Sequence, residues 1–146
     1  DLCQTAIDWD NVDLILGIEA MGLPLTAPLS VRVGIPLIIA RKRSYGLEGE
    51  VMIGQETGYS KGEMYLNDIK PGEKVVIVDD VLSTGGTLKA VLEGVRRTGA
   101  EVTHIIAVVE KGPGLANLQA EYPDVIIESL VRLEMDGAQI TLLDEE

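Results

Sequence analysis

Two adjacent carboxylates, Asp79 and Asp80, stand where an apolar run meets a turn rich in hydroxyls and glycine. The run before them, from Val75 to Val78, is β-branched throughout and predicts a buried strand of a parallel sheet. The turn after them, from Ser83 to Thr87, offers backbone N–H groups, hydroxyls and glycines that let the backbone approach a ligand closely. A segment with helical spacing follows. A strand, such a turn and a helix N-terminus in this order suit a phosphate group.

The two carboxylates narrow the kind of phosphate ligand. The triphosphate-binding pattern G-x-x-x-x-G-K-[ST] and the dinucleotide pattern G-x-G-x-x-G are both absent from this segment. Carboxylates beside a phosphate site would repel the ligand unless they met hydroxyls or a cation. A ribose 5-phosphate with free 2′ and 3′ hydroxyls meets this requirement. The alternative is an acidic turn in which Ser or Thr only caps the next helix, but the whole segment favours ligand binding.

The segment from Val76 to Thr87 resembles the phosphoribosyl-pyrophosphate signature of the type I phosphoribosyltransferases, and the resemblance extends from about Leu14 to Leu143. The archaeal hypoxanthine/guanine enzymes are the most similar members, followed by the bacterial xanthine and adenine enzymes. The resemblance implies catalytic roles for Asp79, Asp80 and Tyr59, with both aspartates also near Mg²⁺. It implies substrate binding by a further set of residues: Glu19, Ala20, Met21, Gly22, Arg41, Lys42, Arg43, Ser60, Lys61, Val81, Leu82, Ser83, Thr84, Gly85, Gly86, Thr87 and Lys111.

Three of these segments have roles that only the resemblance implies. The turn from Glu19 to Gly22 would hold the pyrophosphate through its backbone; on the residues alone it is equally a tight strand–helix connection. The cations Arg41–Arg43 would neutralise the diphosphate, and the resemblance implies that this contact can cross between subunits. The alternative is a solvated surface cluster, which is the usual role of such residues. Tyr59–Lys61 would form the tip of a flexible loop that closes over the site and excludes water.

The acceptor base depends on fewer residues. Lys111 follows a predicted strand at the position where the 6-oxopurine enzymes place a lysine that donates to the purine 6-oxo oxygen; a surface lysine is the alternative. Met21 stands where adenine enzymes usually carry an arginine. Both features favour hypoxanthine, guanine or xanthine over adenine. Ser83 replaces an aspartate that touches the purine in the human-type enzymes, so the proton acceptor stays open. His104 begins a strand, where we expect a structural role.

Strands and helices are predicted to alternate, which indicates an α/β fold with a mostly parallel central sheet flanked by helices. The resemblance implies the type I phosphoribosyltransferase fold, with residues 1–146 as a single domain. Ligands of such sheets bind beyond the carboxyl ends of the strands. The predicted elements are strands at 13–18, 35–40, 75–78, 102–109, 125–133 and 138–143, a helix ending at Gly34, a hairpin-like excursion over 41–65, a helix over 87–99, and a turn at Asp136–Gly137.

Composition limits the class of protein further. The net charge of −12 argues against nucleic-acid binding, and it reflects either a high-salt host or solubility alone. Cys3 is the only cysteine, which excludes an intramolecular disulfide and fits a reducing compartment. No apolar run reaches the roughly 18 residues of a membrane helix, and no signal peptide is visible. We therefore expect a cytoplasmic protein without a membrane partner. Asp1 is not a natural start, so we expect an upstream segment.

The sequence thus predicts a purine salvage enzyme, most similar to the hypoxanthine/guanine type. It would transfer ribose 5-phosphate from 5-phosphoribosyl 1-pyrophosphate to a purine base with Mg²⁺, and it would act as a homodimer. The alternatives are an adenine or xanthine phosphoribosyltransferase, or a regulator that senses phosphoribosyl pyrophosphate without catalysis.

Overall fold

The computed structural model describes residues 1–57, 60–137 and 139–143. Its four helices are α1 (Leu2–Thr5), α2 (Leu23–Val33), α3 (Gly86–Arg97) and α4 (Gly114–Glu121), and a single 3₁₀ turn spans Trp9–Asn11. Its strands are β1 (Leu14–Ile18), β2 (Leu37–Ala40), β3 (Val51–Thr57), β4 (Ser60–Leu66), β5 (Lys74–Leu82), β6 (Glu101–Lys111), β7 (Ile126–Asp136) and β8 (Gln139–Leu143). None of these described helices is long and apolar enough to cross a membrane.

The central sheet has six strands in the order β2-β1-β5-β6-β7-β8. Every neighbouring pair is parallel except β7 and β8, which are antiparallel. The β-branched run of β5 lies at the centre, where Val75 and Ile77 pack into one apolar cluster and Val76 and Val78 into another. Helix α3 contributes to the first cluster and α2 to the second, so helices cover both faces. The prediction of a mostly parallel α/β sheet is confirmed.

The predicted excursion over residues 41–65 contains an antiparallel pair of strands, β3 and β4, that forms a separate sheet. Its base packs on α3, because Ile53 fits into the space left by Gly94, where a Cβ atom would lie 2.6 Å from the isoleucine side chain. Arg97 adds a hydrogen bond from its guanidinium to the carbonyl of Met52, at 2.8 Å. The hairpin is therefore fixed to the helix that follows the central strand.

Two differences from the predicted elements bear on the site. Strand β5 does not end before the carboxylates: Asp79 pairs with Ala107 and Leu82 pairs with Glu110, because β6 is long enough to continue the ladder. Helix α4 was not predicted. It has only eight residues and begins at a glycine, and the pattern of its apolar residues is too short to identify it as a helix.

Candidate active site

An open cavity of about 280 Å³ lies at the carboxyl edge of the central sheet. It brings together the end of β1, the second residue after β2 and the carboxylates of β5, which the chain separates by some sixty residues. Parallel strands place their carboxyl ends at one edge, which explains why these segments meet. The lining residues are Ile18, Glu19, Ala20, Met21, Lys42, Met64, Asp79, Asp80 and Thr87.

Asp79 is the buried carboxylate of this cavity, with only 7% of its surface exposed. Burial raises the pKa of Asp79 to about 7, and the neighbouring charge of Asp80 also raises it. The close approach depends on Gly22, since a Cβ atom there would lie 3.1 Å from Asp79 Oδ1 and 2.8 Å from the carbonyl of Ile18. The site therefore holds a carboxyl group that gains from a hydroxyl or a cation once it is ionised.

A second cavity of about 60 Å³ lies inside the turn after β5, which we call the phosphate loop (Ser83–Thr87). It is lined by Asp79 and by residues 81–88. Gly85 adopts a left-handed backbone conformation, with φ of +83°, and it is the N-cap of α3. The Thr84 hydroxyl accepts a hydrogen bond from the N–H of Gly86, at 3.4 Å. The cavity is thus small, has backbone donors and lies at the positive end of a helix, which suits one phosphate group.

The turn after β1 is tied to the end of β2. The Glu19 carboxylate accepts a hydrogen bond from the Lys42 backbone N–H at 2.9 Å, and the Glu19 N–H donates to the carbonyl of Ala40 at 3.0 Å. The peptide bond between Glu19 and Ala20 is cis. This turn and Lys42 consequently form one wall of the larger cavity.

The basic cluster is divided. Lys42 lines the cavity, whereas the guanidinium of Arg41 stacks on the ring of Tyr45, 3.9 Å from its centroid, and Arg43 is exposed. Of the three predicted cations, the structure brings only Lys42 into the cavity.

Glu50 holds the loop that follows the basic cluster. Sequence reasoning did not identify this carboxylate. Glu50 accepts hydrogen bonds from the Ser44 hydroxyl at 2.5 Å, from the Tyr45 N–H at 3.0 Å and from the Asn67 amide at 3.0 Å. The hydrogen bond from Ser44 is the largest of several that lower the pKa of Glu50 to about 2. The loop that carries Tyr45, and with it the stacked Arg41, is therefore anchored to Asn67, the residue after β4.

The predicted closing tip is described only in part. Tyr59 lies outside the described residues, and Ser60 and Lys61 are known only as backbone positions at the start of β4. Further along β4, Met64 is 1% exposed and lines the cavity beside the carboxylates. Sequence reasoning missed Met64, because an apolar residue in a strand carries no chemical signal.

Lys111 is the last residue of β6, one position beyond the Leu82–Glu110 pair and thus beside the phosphate loop. It does not line the cavity of about 280 Å³ but another one of about 500 Å³. That cavity extends to the β7–β8 hairpin and is lined by Lys111, Gly112, Leu133, Glu134, Met135, Asp136 and Thr141. His104, in contrast, pairs with Val76 and Ile126 near the start of β6, and burial lowers its pKa. It lies away from the strand ends.

A parallel α/β sheet with two acids and an anion-binding turn at the end of its central strand defines the class of the type I phosphoribosyltransferase fold. The family described as the phosphoribosyl transferase domain matches residues 2–136, and the chain therefore belongs to this family of glycosyltransferases.

Three individual proteins show how close the similarity is. The hypoxanthine/guanine phosphoribosyltransferase of Methanocaldococcus infernus is 46% identical over 93% of this chain and 74% of its own length. That of Methanocella paludicola is 47% identical over 93% of this chain and 72% of its own. The crystal structure of adenine phosphoribosyltransferase from Thermoanaerobacter pseudethanolicus superposes with a TM-score of 0.72 at 30% identity, covering 83% of this chain and 70% of that one.

Proposed function

We propose that this phosphoribosyltransferase transfers ribose 5-phosphate from 5-phosphoribosyl 1-pyrophosphate to hypoxanthine or guanine. The N9–C1 bond forms, the bond from C1 to the pyrophosphate oxygen breaks, the proton of the base passes to the pyrophosphate or to solvent, and a nucleoside 5′-monophosphate and pyrophosphate are released. The observation that carries the choice of base is the cavity at Lys111, directly beside the phosphate loop. The names of the archaeal relatives support the same choice.

We assign the binding of phosphoribosyl pyrophosphate to the cavities of about 280 and 60 Å³. The phosphate loop binds the 5-phosphate through its backbone N–H groups and the hydroxyls of Ser83, Thr84 and Thr87. The carboxylates of Asp79 and Asp80 accept from the 2′ and 3′ hydroxyls and stabilise positive charge that develops on the ribose ring. The turn from Glu19 to Gly22, with Lys42 above it, binds the pyrophosphate. These contacts orient C1 toward the neighbouring acceptor cavity.

The residues present fit a Mg²⁺ ion that arrives with the substrate. Within the described residues, no group of three or more His, Cys, Asp or Glu side chains is arranged to hold a metal alone. Two carboxylates suffice when substrate phosphates and water supply the remaining ligands, which is the usual coordination of Mg²⁺. When bound, the ion neutralises the leaving pyrophosphate. Asp79 and Asp80 are the residues that would hold it.

The acceptor side explains why a 6-oxopurine is favoured. The Lys111 ammonium has donors only, so it matches the 6-oxo oxygen of hypoxanthine, guanine or xanthine, whereas adenine presents an amino group there. Leu133 and Met135 line the same cavity and can pack against the faces of a flat base.

Two other acceptor bases have specific support. The structural match at 30% identity favours adenine, and an enzyme that acts on xanthine would use the same lysine. A regulator would retain the donor site and lack turnover.

We further propose a homodimer, in which Arg41 and Arg43 face the neighbouring subunit, and a cytoplasmic location, to which the free thiol of Cys3 is suited.

One assay separates these possibilities. The protein is incubated with phosphoribosyl pyrophosphate, Mg²⁺ and each of hypoxanthine, guanine, xanthine and adenine, and pyrophosphate release is measured. We expect release with hypoxanthine and guanine. Release with adenine or xanthine alone would replace the proposed acceptor. Binding of phosphoribosyl pyrophosphate without release for any base would favour the regulator.

A further inference from the structure

Helix α4 lies directly behind the phosphate loop. The backbone N–H of Gly114, the first residue of the helix, donates to the carbonyl oxygen of Ser83 at 3.0 Å. A Cβ atom on Gly114 would lie 2.2 Å from that same oxygen and 2.8 Å from the carbonyl carbon of Thr84. These distances are far below van der Waals contact, so the approach of the helix to the loop requires glycine at this position.

This hydrogen bond also sets the direction of a donor on the other side of the loop. In a trans peptide the C=O and N–H groups point in opposite directions. The carbonyl of Ser83 faces α4, so the N–H of Thr84, in the same peptide unit, faces away from the helix. The cavity of about 60 Å³ lies on that side, since Thr84 lines it and no residue of α4 does.

A second contact supports the next residue of the loop. Gly85 packs against Leu118 of α4, to which a Cβ atom on Gly85 would approach within 3.1 Å. Leu118 is 3% exposed and belongs to the main apolar cluster. Helix α4 thus supports two consecutive residues, Thr84 and Gly85, whose backbone must face the ligand.

We propose that Gly114 is a positioning residue for the donor substrate: its N–H holds the Ser83–Thr84 peptide so that the Thr84 N–H points at the 5-phosphate. Leu118 assists by supporting Gly85. The proposal depends on the assignment of the donor site to the phosphate loop. The 5-phosphate does not react, so its contacts are equal in the ground state and the transition state, and their loss raises KM with little change in kcat.

The test is Gly114→Ala in the full chain, with steady-state kinetics in both substrates. Loss of the hydrogen bond from the Thr84 N–H to the charged phosphate weakens binding by about 10- to 100-fold. We expect KM for phosphoribosyl pyrophosphate to rise at least tenfold, while kcat and KM for the base change less than threefold. The matched control is Gly99→Ala, at the other end of the sheet, where φ is +84° and a Cβ atom would lie 3.1 Å from Pro71. It should lower thermal stability without changing either KM.

An unchanged KM for phosphoribosyl pyrophosphate in folded Gly114→Ala would overturn the proposal, as would the same change in Gly99→Ala. If Gly114→Ala does not fold, Leu118→Ala takes its place, with an expected rise in the same KM and no change in that of the base. Calorimetric titration with phosphoribosyl pyrophosphate and Mg²⁺, without a base, keeps the two hypotheses apart. A wild-type protein that binds but does not turn over contradicts the proposed function, whereas equal Kd values for wild type and variant contradict the positioning role.

Discussion

Replacing Asp79 by asparagine should make the protein more stable at alkaline pH while impairing its donor site. Asp79 is 7% exposed, and burial raises its pKa to about 7 from an ordinary value of 3.8. The folded state therefore holds a proton that the unfolded state has already released. Its contribution to stability is complete below the unfolded pKa and is lost as the pH rises through 7. The difference between the folded and unfolded pKa values corresponds to about 4 kcal/mol in the free energy of unfolding. About 2 kcal/mol of this stability is lost between about pH 5.5 and 8.5.

The measurement is urea unfolding of the ligand-free protein at several pH values across that range. We expect the free energy of unfolding of wild type, relative to Asp79→Asn, to fall by about 2 kcal/mol from about pH 5.5 to 8.5. Taking the difference between the two proteins removes contributions of other groups such as His104. Asp10→Asn, on an exposed residue of the 3₁₀ turn, controls for the loss of one negative charge.

The reasoning would be refuted if the free energies of unfolding of wild type and Asp79→Asn changed equally with pH. The cavity would then not destabilise the ionised carboxylate. When the experiment is repeated with phosphoribosyl pyrophosphate and Mg²⁺, we expect the wild type to become more stable than Asp79→Asn. The ligand should stabilise wild type and fail to stabilise Asp79→Asn, since a neutral amide cannot compensate a bound cation.

Three further predictions concern single contacts. Lys111→Ala should lower kcat/KM for hypoxanthine about 10- to 100-fold, the value of a hydrogen bond from a charged donor, and leave KM for the donor unchanged; equal kinetics in both proteins would remove Lys111 from the acceptor site. Gly22→Ala should lower kcat/KM at least tenfold and destabilise the fold by about 1–3 kcal/mol, because its Cβ atom would crowd Asp79; Gly54→Ala, which meets nothing within 4 Å, is the control. Glu50→Ala should accelerate hydrogen exchange of the Tyr45 amide, measured by mass spectrometry, since the carboxylate oxygen that accepts from it is lost.

The sequence predicted the central strand, the turn after it and the helix that follows, because these elements are contiguous along the chain. A buried β-branched run, two acids and a glycine-rich turn identify β5 and the phosphate loop without any tertiary information. The meeting of this turn with the end of β1 also followed, since parallel strands end at one edge. The direction of individual side chains did not follow. Arg41 and Lys42 are neighbours of like charge, and only the stacking of Arg41 on Tyr45 shows that they face different surroundings.

The residues that sequence reasoning missed act across long separations. Met64 reaches the carboxylates only because Ile53 and Arg97 fix its hairpin on α3. Gly114 lacks the positive φ that would mark it as a turn glycine, and it is required by the carbonyl of Ser83, some thirty residues earlier. No local pattern contains such a requirement.

Several groups at this site work against stability, and their positions agree with one another. The carboxylate of Asp79 is buried within β5. Gly114 at the start of α4 and Gly22 in the turn after β1 stand where a larger side chain would not fit. Conflicts of this kind concentrate where a ligand must be accommodated. Two polar groups are then directed at a cavity instead of at the core: the carboxylate of Asp79, whose Oδ1 lies beside Gly22, and the N–H of Thr84, which we propose is held by Gly114. A hydroxylated, phosphorylated ligand with its cation satisfies both of them together, and for this reason we expect donor binding to raise stability more than base binding does.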